Sequence, residues 1–164
     1  ILNSFKQNYL HSGKKGYHMA SASNILLSMR QLIKLYDLSL DEIRKKYKLN
    51  HIEVTIISII HNNPGKDTAG DIASLRMLPK GNESQGVESL IQKSFLARIQ
   101  DTSDRRKIHL SLKDEALPIV MEIEQSKIRF KELLFDGFTQ EEMDQFGNLS
   151  TRMVQNISNI IERK

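Results

Sequence analysis

Side chains able to do chemistry are sparse in this chain of 164 residues, and their spacing excludes most of the chemistry open to them. His11, His18, His51, His61 and His109 form no His-x-x-x-His pair, and no carboxylate stands beside two of them at ligand spacing. No zinc, nickel or other metal site is therefore expected. With no cysteine at all, disulfide scaffolds, thiolate metal sites and thiol redox sensing drop out together. The run from Gly65 to Gly70 has the glycine spacing of a phosphate-binding loop, but Asp71-Ile72 follows where Lys-Ser/Thr would be needed. Gly81 and Gly86 do not frame a nucleophile elbow. Neither an enzyme nor a cofactor is expected.

What remains is a pair of cations. Arg105 and Arg106 lie in the polar run 101–106, between two segments, 95–100 and 107–112, that alternate apolar with polar residues. That pattern predicts a β-hairpin with the arginines at its tip. On their own they could be solvated charges, so the elements around them decide the reading.

Those elements are mostly helices. From Met19 onward Ile25, Leu26, Met29, Leu32, Ile33 and Tyr36 recur at helical steps, and Ser39 with Glu42 resembles a capping box for a second helix through about Tyr47. Residues 51–62 are β-branched enough for a buried strand. Their length, the face formed by Ile52, Ile56, Ile59 and Ile60, and a cap at Asn50 favour a helix. After the turn at Asn62-Asn63-Pro64-Gly65, Thr68 with Asp71 starts a helix whose Ile72, Ala73 and Leu75 face inward. Asn82 with Gln85 caps the next, with Val87, Leu90 and Ile91 as its buried stripe. A long helix begins near Pro118, Asp136-Gly137 breaks it, and Thr139 with Glu142 caps a last one. There Met143, Phe146, Leu149, Met153, Ile157 and Ile160 form an apolar stripe that needs a partner surface, most economically a second copy.

Two short helices joined by a turn and followed by such a hairpin make a winged helix-turn-helix. A helix fits the DNA major groove, and an arginine on a thin hairpin fits the narrow minor groove. The expected fold class is mainly α with a small β-hairpin wing (α+β), flanked by long N- and C-terminal dimerisation helices. Residues 1–18 are read as a flexible lead-in, 19–50 and 114–164 as the helical dimerisation region, and 51–113 as the DNA-binding lobe.

In order and spacing, the sequence resembles the MarR (multiple antibiotic resistance regulator) family. The likeness runs from Asn63-Pro64-Gly65 through Thr68, Asp71-Ile72-Ala73 and Leu75 to Val87, Leu90 and Phe95-Leu96-Ala97-Arg98. It continues with Asp101, Asp104-Arg105-Arg106 and Leu110-Ser111-Leu112. The resemblance implies a homodimeric transcriptional regulator, commonly a repressor, that binds a pseudo-palindromic operator in double-stranded DNA and is released by a small-molecule effector. It places Lys80, Asn82, Ser84, Gln85 and Ser89 on the exposed side of the recognition helix or at its start. Arg106 becomes the groove-reading arginine, oriented by a charge-assisted hydrogen bond that its guanidinium donates to Asp104, with Arg105 meeting phosphate. The chain departs from the family at Glu83, where an apolar residue is usual, at Gly86, where a larger one is, and at Ser94, where glycine is. The segment from Leu75 to Leu90 is also one residue longer. These departures motivate the rival reading, a winged-helix protein–protein or ligand-sensing module without DNA binding.

Charge is graded along the chain. Residues 1–50 carry nine Lys/Arg against three Asp/Glu, residues 51–113 nine against seven, and residues 114–164 six against ten. A basic front and an acidic tail suit a molecule with one face toward a polyanion. Residues 1–18 lack the apolar core of a signal peptide, and no run reaches the ~18 apolar residues of a membrane span. A cytoplasmic protein is expected, with no membrane partner.

Overall fold

A computed structural model describes residues 22–76, 82–104 and 106–163. Contacts divide the chain into two units between Leu38 and Ser39. The first unit carries all but the last residue of helix α1 (Ala22–Ser39), and Ile25, Leu26, Leu27, Leu32 and Ile33 are exposed on it.

The second unit begins with α2 (Asp41–Tyr47). The capping box expected of Ser39 and Glu42 is absent. Helix α1 runs through Ser39, and Leu40 occupies the N-cap of α2 without any side-chain bond. Packing supplies what the cap does not, since Leu40 and Ile43 are both buried. The helix ends at Lys48 in the left-handed conformation (φ 53°), where the Leu49 N–H donates to the Arg44 carbonyl at 2.9 Å.

Residues 51–62 are a helix, α3 (His51–Asn62). Asn50 Oδ1 accepts from the Glu53 N–H at 2.9 Å, and Glu53 Oε2 accepts from the Asn50 N–H at 2.6 Å. This reciprocal cap satisfies two of the donors a helix start leaves open, and Val54, Ile56 and Ile57 are then fully buried. Gly65 turns the chain at φ 80°. Thr68 and Asp71 form the expected box for α4 (Ala69–Arg76), with the Thr68 N–H donating to Asp71 Oδ2 at 3.1 Å and the Asp71 N–H to Thr68 Oγ1 at 3.2 Å. Ile72 is fully buried and Ala73 partly so.

Helix α5 (Asn82–Gln92) leads into the hairpin of β1 (Leu96–Gln100) and β2 (Ile108–Leu112). The strands are antiparallel, with Leu96 opposite Leu112 and Gln100 opposite Ile108. The segment ahead of α4 touches the free edge of β2, where the Leu110 N–H donates to the Asp67 carbonyl at 2.9 Å. A short 3₁₀ turn (Asp114–Ala116) runs into α6 (Leu117–Leu134), which buries Ile119, Val120, Ile123 and Ser126. Helix α7 (Gln140–Ile161) starts at a reciprocal Thr139–Glu142 cap and has no buried residue. The core of this unit gathers Ile56, Ile57, Ile72, Leu90, Leu96, Ile119 and Ile123, so α3 sits at its centre. The chain is thus mainly α with a two-stranded antiparallel hairpin, as the sequence pattern predicts.

Candidate nucleic-acid interface

Helix α5 is held by three devices. At Gly86, a Cβ would lie 2.8 Å from both Ile52 Cγ2 and Ile56 Cδ1, so the missing side chain lets α5 approach α3 closely. At its C-terminus, the Phe95 N–H donates to the Leu90 carbonyl at 2.9 Å and the Ser94 N–H to the Ile91 carbonyl at 3.0 Å. This is a Schellman closure, with Ser94 at the left-handed position (φ 62°) that favours glycine. The third device is Glu53, only 1% exposed, which takes Lys93 Nζ at 2.7 Å and a hydrogen bond from Ser89. Burial pushes the Glu53 carboxyl up, but the bonds from Lys93, Ser89 and Asn50 together outweigh it and hold the group below its ordinary value.

This arrangement sorts the sequence-predicted contacts of α5. Ser84 and Gln85 are exposed on the first turns. Asn82 opens the helix, its side chain outside those described, and Lys80 lies outside the described residues. Ser89 departs from the expected exposed face. It is half-buried and bonded to Glu53, because a residue five positions beyond Ser84 falls about 140° around the helix.

In the hairpin loop Asp101 Oδ1 accepts from the Ser103 N–H at 2.7 Å, the Ser103 hydroxyl at 2.6 Å and the Asp104 N–H at 2.8 Å. Those donors, with His109, hold the Asp101 carboxyl far below the usual carboxylate range. Asp104 Oδ1 accepts from the backbone N–H of Arg106 at 3.0 Å. The expected bond to the guanidinium is thus replaced by one to the amide, and the Arg106 side chain is exposed. Asp104 shapes the turn, and the turn presents Arg106. Arg105 lies outside the described residues.

In the sequence, His109 is one of five unclustered histidines. The structure places its Nδ1 at 2.6 Å from Asp67 Oδ1 and its Nε2 at 2.9 Å from Asp101 Oδ2. One partner is 42 positions away, so no local pattern announces the trio. Beside it, α4, α5 and the hairpin enclose an open cleft of about 480 Å³, lined among others by Gly70, Ile72, Ser84, Val87 and Ile108. Arg98 pairs with Glu88 at its wall. Among the described residues no cluster of metal-ligating side chains occurs, and no helix is long and apolar enough to cross a membrane.

No family model matches the sequence. The transcriptional regulator PecS of Dickeya dadantii is 23% identical over 127 residues, covering 76% of both chains. Among solved structures, a MarR protein from Peptoclostridium difficile superposes with a TM-score of 0.73 at 26% identity, covering 90% of this chain and 95% of that one. A MepR mutant from S. aureus bound to an oligodeoxyribonucleotide superposes at 0.52 and 16% identity, covering 84% and 99%. The hairpin after a helix-turn-helix, the order of the motif residues and these likenesses agree, and the chain has the winged-helix fold of the MarR structures it resembles.

Proposed function

We propose that the chain is a sequence-specific DNA-binding transcriptional regulator, acting in the cytoplasm as a homodimeric repressor that a small ligand releases from a pseudo-palindromic operator. The observation that carries this reading is the shared cleft. Ser84, on the exposed first turns of α5, opens onto the same hollow as the hairpin strand that continues from Arg106. A helix face and an arginine-tipped hairpin side by side are the two probes that read a major groove and its neighbouring minor groove. Lys80, Asn82, Ser84 and Gln85 would line the first probe and Arg105 and Arg106 the second. Asp104 acts through the turn, and Ser89 through Glu53 rather than through DNA. The DNA-bound MepR relative supports the reading.

A second copy would cover α7, where Phe146, Leu149, Met153, Ile157 and Ile160 are exposed at coiled-coil-like spacing. Two lobes so joined could reach half-sites about 34 Å apart. The cleft beside α5 falls within the roughly 300–1,000 Å³ range of small-molecule sites, which suits a releasing ligand.

Fluorescence anisotropy on a labelled duplex from the region upstream of its own reading frame, against a shuffled duplex at two salt concentrations, tests this function. A clear preference for the upstream duplex, with affinity falling steeply as salt rises, is expected. Equal binding to both duplexes would reduce the interaction to charge attraction. No binding at low salt would move the function to protein or ligand recognition.

A further inference from the structure

We propose that His109, as an imidazolium clasped between Asp67 and Asp101, is a positioning residue that pins the hairpin to the segment ahead of α4, and that losing its proton loosens the pin and weakens DNA binding. The last clause rests on the function proposed above; the pin itself does not.

Geometry carries the argument. Both ring nitrogens face carboxylate oxygens, Nδ1 at 2.6 Å and Nε2 at 2.9 Å. A carboxylate only accepts, and a neutral imidazole has one N–H, so both bonds exist together only when the ring is protonated. The two carboxylates are approached from different supports. Asp101 is held by three donors on its other oxygen. Asp67 is fixed by its backbone, whose carbonyl accepts from the Leu110 N–H. The trio therefore joins three stretches of chain: the approach to α4, the end of β1 and the edge strand β2. The charged groups around the ring are Asp67 from the approach segment, Asp71 from α4 and Asp101 from the hairpin, with Lys66 set against Asp71. The bond to Asp67, then that to Asp101, raises the His109 pKa above its ordinary value. A raised folded value means the contribution is complete below about pH 6.5 and is lost as pH rises through the higher folded value.

The test follows the His109 ring by NMR across a pH titration of the full chain, alongside Asp67→Asn and Asp101→Asn. Titration above the ordinary histidine value is expected, falling back in each variant. Protection of the Leu110 amide, corrected for the base-catalysed rise in exchange, should drop over the same range. Operator affinity by anisotropy should fall about three- to tenfold across that range in the parent, the size of one lost charge-assisted bond shared with solvent, and stay flat in His109→Gln. Titration at or below the ordinary value, or a raised value that survives both Asn variants, overturns the pin. An equal pH slope in His109→Gln overturns its link to DNA. Should the parent bind no DNA at any pH, the function falls, while the ring titration and the Leu110 amide still judge the pin.

Discussion

Arg106 and Ser94 show how much a single position carries here. The carboxylate of Asp104 is spent on the Arg106 amide, so the guanidinium projects from a turn whose shape is already set. Arg106→Ala should then leave the fold intact and weaken operator binding by about 1–3 kcal/mol if the side chain enters the groove. Anisotropy measures this, and unchanged affinity at intact folding would remove the hairpin tip from the interface. Ser94 holds a left-handed conformation at φ 62°, which costs a side-chain-bearing residue roughly 1–2 kcal/mol. Ser94→Gly relieves that strain at some cost in unfolded-chain entropy, so a gain of up to about 1 kcal/mol is expected in thermal melts. The resemblance flagged this position as glycine's usual place, and the closure of α5 supplies the reason. Ser89 was not legible in the same way. Its polarity fits a solvent face as well as a buried carboxylate, and only the rotation of α5 on α3 chooses between them.

Among the elements, α3 and α5 hold the cleft in shape, and Gly86 sets their separation. From propensity alone Gly86→Ala should stabilise α5 by about 1 kcal/mol. The added methyl would meet Ile52 and Ile56 at 2.8 Å, and overpacking costs about 1–3 kcal/mol. Ile56 can swing its far end aside, but the Ile52 contact is a branch fixed near the backbone. A net loss of about 1 kcal/mol and a lower melting temperature are expected for Gly86→Ala. A higher melting temperature would show that α3 yields. Element identity was readable wherever a cap is made by neighbours in sequence, as at Asn50–Glu53, Thr68–Asp71 and Thr139–Glu142. It misled at Ser39 and Glu42, whose spacing is right but whose place is taken by the last residues of α1. A capping pattern is a local offer, and a longer neighbouring helix can override it.

For the molecule as a whole, α7 stands out among the described residues as a helix of 22 residues with none buried. Phe135 stacks edge-on against Phe146 and Phe138 near its start, but beyond that the apolar stripe faces solvent in this single chain. A side chain such as Leu149, 62% exposed, or Ile157, 46% exposed, gains about 1.5–3 kcal/mol when fully buried. Sedimentation should find the parent dimeric, and Leu149→Glu with Ile157→Glu should yield a monomer with a folded winged-helix lobe. That variant should also lose the preference for a two-half-site duplex. A monomeric parent would leave α7 without the role proposed for it.

Sequence by itself determined the parts written in short-range physics. These are the helices, the caps at Asn50, Thr68 and Thr139, the turn at Gly65, the alternating hairpin strands and the arginine-bearing loop, each set by residues within a few positions of one another. The family likeness was readable for the same reason, being an ordered string of such local signals. Tertiary structure alone decided which way those parts face. It turned Ser89 toward Glu53, brought Lys93 across from the end of α5, and closed Asp67 and Asp101 on opposite sides of His109. Such contacts join residues up to 42 positions apart through the rotation and approach of whole helices, and packing of the buried core is what sets both.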